Sequence, residues 1–170
     1  MKPMQVLADG VTRKLDPRVI PFDRAVGWIV ALTVSFCLLL ALLVAWLTST
    51  LPAWTWAGAW LLWLLITAGL AWLGHAWPPR DYEATSYLLN DIGIEIRRGV
   101  YWRQIIAVPR SRVQHIDVRQ GPLRRSYGLS TLMIFTAGTE HSSVSLAGLA
   151  HETALALRDL LLPETPHDGV

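Results

Sequence analysis

Residues 25–77 read AVGWIVALTVSFCLLLALLVAWLTSTLPAWTWAGAWLLWLLITAGLAWLGHAW, and the rest of the chain is arranged around them. Two apolar runs, Ala25–Thr48 and Thr55–Trp77, are split only by Ser49-Thr50-Leu51-Pro52-Ala53, and no Lys, Arg, Asp or Glu lies between Arg24 and Arg80. Roughly 20 apolar residues carry a helix across a bilayer core, and both runs reach that length. Helices buried in soluble domains seldom have such long uncharged runs. A cleavable signal has an apolar region of about 7–15 residues close to the N-terminus, whereas here a polar-rich segment comes first and a second run follows. The sequence therefore predicts a membrane hairpin with helices over about 25–48 and 55–77.

Residues 1–24 hold Lys2, Arg13, Lys14, Arg18 and Arg24 among acids and prolines, and are expected to form a loose cytoplasmic arm. Basic flanks stay on the cytoplasmic side. The connecting turn has no basic residue and arginines resume at Arg80, so both termini are expected in the cytoplasm of a bacterial inner-membrane protein. Trp28, Trp46, Trp54, Trp56, Trp72 and Trp77 fall near the run ends, where an indole keeps its N–H at the wet boundary. Ala57, Ala68 and Gly69 are the small residues expected to let the helices approach, and Cys37 reads as a packing residue that excludes an internal disulfide. Ionisable residues mark pathways inside membrane helices. Only Cys37 and His75 qualify even weakly, so the hairpin reads as an anchor.

Pro78-Pro79 marks the expected domain boundary, with a domain over 80–162 and a disordered tail at 163–170. Strands are expected at Thr85–Leu89, at 92–97 with Ile92, Ile94 and Ile96 on one face, at Val100–Val108, and at Val113–Arg119 with Ile116 and Val118 inward. Leu123–Gly128 reads as a basic loop, Ser130–Thr136 as a central strand, Ala137-Gly138-Thr139 as a turn and His141–Leu146 as its partner strand. Leu149, Thr153, Ala156, Leu157 and Leu160 give helical spacing up to Pro163.

Tyr87-Leu88-Leu89-Asn90 before Gly93-Ile94, the turn Arg98-Gly99-Val100, the run Val108–Ile116, the run Gln120–Leu129 and Thr136-Ala137-Gly138 together resemble the YdbS-like bacterial pleckstrin-homology (PH) family, also called membrane-flanked domains. The resemblance covers about Asp81–Leu162. It implies a membrane α-helical hairpin followed by a PH-like β sandwich or barrel, two nearly orthogonal antiparallel sheets capped by a C-terminal helix. It also implies a non-enzymatic membrane protein, often accompanied by a larger relative with several such domains.

Eight arginines, Arg97, Arg98, Arg103, Arg110, Arg112, Arg119, Arg124 and Arg125, face a single acid, Asp117, between Arg97 and Arg125. Such a surface suits either the carboxylates of a protein partner or anionic headgroups. Phosphoinositide-binding PH domains carry a basic motif between their first two strands, where this chain is read as having only Asn90-Asp91-Ile92-Gly93. His115 with Asp117, or His141 with Ser142-Ser143, lack the nucleophile turn of a hydrolase, and His115, His141 and His151 lack metal-ligand spacing. No cofactor, nucleic acid or small-molecule substrate is expected. The expected role is a scaffold that binds a second membrane protein with PH-like domains, or itself; the rival is a protein that binds or handles anionic phospholipid.

Overall fold

The computed structural model describes residues 10–137 and 143–162 of the 170. The chain divides into two units, one of Ile20–Pro79 and one formed by the sequence on either side of it. Strand β1 (Thr12–Lys14) is followed by the long helices α1 (Val19–Thr48) and α2 (Ala53–Ala84). Next come β2 (Ser86–Leu89), β3 (Gly93–Arg98), β4 (Gln104–Pro109), a 3-10 turn at Arg110–Arg112 and β5 (Val113–Arg119). Helix α3 (Pro122–Ser126), β6 (Leu129–Thr136), β7 (Ser143–Ala150) and α4 (His151–Leu161) complete the order.

Both long helices are apolar enough to cross a membrane. They leave large side chains such as Leu47 (69%) and Trp72 (67%) uncovered, unlike helices of a soluble core. They approach closely at Gly27 and Gly74, where a Cβ on Gly27 would stand 2.8 Å from the Gly74 Cα. The small residues singled out from the sequence are elsewhere: Ala57 and Ala68 are exposed, and a Cβ on Gly69 would meet nothing within 4 Å. Cys37 is likewise exposed, not packed between the helices. Polar contacts tie the pair at Ser35, whose carbonyl accepts from Trp63 Nε1 at 3.1 Å and whose hydroxyl meets Thr67 Oγ1 at 3.1 Å.

Pro78-Pro79 does not end the second helix, which runs to Ala84. A proline inside a helix removes the N–H that would bond the carbonyl four residues earlier. For Pro79 that carbonyl belongs to His75, and the Arg24 guanidinium donates to it from Nε at 3.2 Å. An outside donor thus replaces the missing one, as apolar surroundings demand.

The other unit has sheets ordered β1-β2-β3-β4 and β5-β6-β7, all pairs antiparallel. Their inner faces and α4 share one core, which includes Leu89, Ile94, Ile96, Leu132, Ile134, Leu146 and, from α4, Ala154, Leu157 and Leu161. Register shifts between Val113 and His115, and between Ser130 and Thr131, break strict alternation. The first lets Val113 and Ile116, three apart, both point inward. At the second, Gly148 (φ +84°) is the extra residue of β7, and Leu149 is thereby buried as a strand residue. The helical repeat assigned to Leu149 therefore starts two residues later.

The loose arm is also corrected. Thr12–Lys14 pairs with Ser86–Leu88, and Leu15 and Val19 are buried in the same unit, so the segment before the hairpin completes the PH-like sheet. Asn90–Gly93 consequently joins the second and third strands; the connection between the first and second is the helical hairpin itself. Asn90 Oδ1 accepts from the N–H groups of Ile92 and Gly93, which makes a turn and leaves Ile92 exposed, apart from Ile94 and Ile96. Residues 99–103 form a turn, so β4 begins at Gln104 and not at Val100. The basic loop contains α3, started by Pro122 at its first turn. Gly138, Thr139, His141, Ser142 and the tail 163–170 lie outside the described residues.

Candidate ligand-binding cleft

The β3–β4 hairpin aligns Arg98 with Gln104 and Arg97 with Ile105. Gly99 closes its tip at φ +110°, where a Cβ would overlap the Trp102 carbonyl oxygen, so the turn depends on glycine. Beside this hairpin lies a cleft of about 550 Å³ bounded by Arg80, Glu83 and Ala84 from the end of α2, Ser86 from β2, and Arg97–Val100 and Arg103–Ile105. The volume is in the range of small-ligand sites. Four arginines and one glutamate among its lining residues give it an excess of positive charge.

Contacts hold some of these groups in place. Arg97 Nε donates to Glu95 Oε1 at 2.6 Å, and Arg98 Nε to Gln104 Oε1 at 3.3 Å, both along the hairpin. Lys14 Nζ donates to the Glu83 carbonyl, joining β1 to the wall contributed by α2. Among the described residues, the Arg103 guanidinium makes no hydrogen bond or ion pair. Each guanidinium has five donors, so one hydrogen bond at Nε leaves the outer fork able to meet a phosphate or carboxylate.

The other sequence-derived arginines are not in this cleft. Arg110 Nη2 donates to the Leu160 carbonyl and clasps α4. Arg124 Nη1 donates to Thr131 Oγ1 at 3.0 Å, fixing α3 against β6. Arg112 on the 3-10 turn and Arg125 on α3 are exposed, and Arg119 donates from Nη2 to Asp117 Oδ2 at 3.2 Å. The eight arginines therefore divide into a cleft trio, of which Arg97 is ion-paired with Glu95, two structural clasps, one arginine paired with Asp117 and two exposed cations. Arg80, which sequence reasoning left out of the candidate set, completes the cleft; its signal was its place immediately after the second apolar run.

His115 Nε2 lies 2.5 Å from Asp117 Oδ1 on β5. The hydrogen bond from Arg119 is the largest influence and holds the Asp117 carboxyl below the usual carboxylate range; desolvation opposes it, and the His115 hydrogen bond adds to the lowering. His151 Nδ1 instead meets Ser130 Oγ at 2.9 Å where α4 begins. Among the described residues, no group of three or more His, Cys, Asp or Glu is placed to hold a metal ion.

Residues 23–165 match the family model described as bacterial PH domain. The chain is also similar to the UPF0699 transmembrane protein YdbS of Bacillus subtilis (strain 168), at 34% identity over 135 residues that cover 74% of this chain and 76% of the relative. No solved structure matches it.

Proposed function

The chain belongs to the bacterial PH domain family and is a membrane protein with transmembrane helices, and from that premise we propose that its PH-like domain is a non-enzymatic module that binds anionic phospholipid headgroups. The carrying observation is the cleft whose lining includes Arg80, Arg97, Arg98 and Arg103. A basic residue close to an anionic leaflet gains about 1 kcal/mol. The cleft also borders the end of the first-to-second strand connection, where lipid-binding PH domains keep their basic motif. The pairing of β1 with β2 supports placing the two flanks of the hairpin on one side of the membrane. Their basic residues argue for the cytoplasmic side of a bacterial inner membrane, with both termini inside.

A second reading rests on β4, an edge strand of its sheet among the described residues, with Ile105 65% exposed. An open apolar edge suits strand addition by a protein partner, either another membrane protein with PH-like domains or a second copy. Tethering would raise the effective concentration for such a scaffold. Crosslinking in native membranes, mild extraction and mass spectrometry separate the two. Recovery with enriched anionic lipid supports the headgroup reading; recovery with a stoichiometric protein and no lipid enrichment supports the scaffold and refutes it.

A further inference from the structure

We infer that the tip of the β3–β4 hairpin, Gly99–Arg103, is a membrane-insertion element: Trp102 and Tyr101 enter the bilayer interface while Arg98 and Arg103 hold anionic lipid phosphates. This inference rests on the headgroup reading and adds the aromatic tip to it. Trp102 is 91% exposed and Tyr101 79%, adjacent in sequence on one short turn. Large aromatic side chains so fully offered to solvent are unusual in a soluble surface, and indole and phenol favour the boundary between headgroup and acyl chain.

The charges select the occupant. From Arg97 through Ile116 the chain contains no acid, while Arg97, Arg98 and Arg103 flank the two aromatic rings. Apolar tip and cationic collar match the layering of an anionic leaflet, with acyl chains inside and phosphates outside. The chain supplies proximity as well. Arg80, on the wall of the adjoining cleft, follows Trp77 at the close of the second apolar run by three residues. Gly99 supplies the shape, since its left-handed turn returns the chain over the Trp102 carbonyl and sets the aromatic pair at the apex.

The test uses the full chain with Cys37→Ser, which removes its only cysteine. An environment-sensitive fluorophore is attached at Trp102→Cys, or at Gln114→Cys on β5 as a control, and the protein is reconstituted into vesicles. Pure phosphatidylcholine is compared with an equimolar mixture of phosphatidylcholine and phosphatidylglycerol. In the anionic vesicles the label at position 102 is expected to shift to the blue, brighten several-fold and be quenched by nitroxides on the upper acyl chain, while the label at 114 does not change. Identical, unquenched emission from position 102 in both vesicles would overturn the inference.

Because a label replaces the indole, a second pair carries it at Val100→Cys with Trp102 kept or changed to Ser. Loss of quenching in the Ser variant supports insertion of Trp102; equal quenching refutes its role. Joint Arg97→Gln, Arg98→Gln and Arg103→Gln separates this inference from its premise. If that variant loses retained anionic lipid while position 102 of the parent stays in water, insertion fails and headgroup binding stands. If lipid retention is also unchanged, both fail.

Discussion

Changing Leu15 to Ala tests whether the segment before the membrane helices belongs to the PH-like domain. Leu15 is only 8% exposed and joins the core shared by both sheets and α4. Its Cδ1 lies 3.5 Å from where a Cβ on Gly148 would stand, so the neighbour on β7 has no side chain with which to fill a void. A Leu→Ala change of this kind costs about 2–5 kcal/mol, and poor refilling favours the middle of that range or above. A small domain has about 5–15 kcal/mol to lose. A loss of about 3 kcal/mol is roughly a hundredfold in the opening equilibrium. Hydrogen exchange on the full chain in nanodiscs reads this directly: protection at Ile94, Ile96, Leu132 and Ile134 should fall by that factor, while amides in the middle of α1 do not change. Protection within about threefold of the parent at all four positions would refute the reasoning, since cavity costs in a shared core cannot be that small.

Gly74→Leu should separate the membrane helices, because the atoms it meets are backbone and cannot rotate away; overpacking of about 1–3 kcal/mol is expected, read as weaker disulfide crosslinking between cysteines placed in α1 and α2. Gly69→Leu, facing open space, should leave crosslinking unchanged. Gly99→Val should distort the hairpin tip without unfolding the domain, visible as faster exchange confined to residues 98–104. Asp117 titrates below an ordinary aspartate, so any stability it adds is present above the unfolded pKa and is lost as pH falls through the folded value. Arg119→Gln should raise its midpoint in an NMR titration, since Arg119 is the largest cause of the depression.

The apolar runs were legible because hydrophobic length alone marks a membrane helix, and β5 because, past its bulge, Ile116 and Val118 alternate with His115, Asp117 and Arg119. Strand β1 was not. Thr12-Arg13-Lys14 is three residues long and polar, and its partner β2 comes after the whole hairpin, so no local pattern links them. The error at Leu149 has a related origin: the bulge at Gly148 shifts the inward face by one residue, and Leu149, four residues before Thr153, then stands in apparent phase with the helix. The two prolines in α2 were read as a domain boundary, and the division between the units does fall at Pro79, but the second helix was expected to end at Trp77 because the donor that relieves one proline, Arg24, lies on another helix. The candidate arginines were visible as a composition, but not their division. A strand pattern cannot tell a guanidinium that clasps a carbonyl, as Arg110 does, from one that lines a cleft.

The most direct test replaces Arg80, Arg97, Arg98 and Arg103 together by Gln in the full chain and measures the anionic phospholipid retained after mild extraction, across a salt series. Losing about 1 kcal/mol for each of the cleft's cations predicts a drop in headgroup affinity of several hundredfold or more, together with a flatter salt dependence. Retention and salt dependence equal to those of the parent protein would contradict headgroup binding by the cleft.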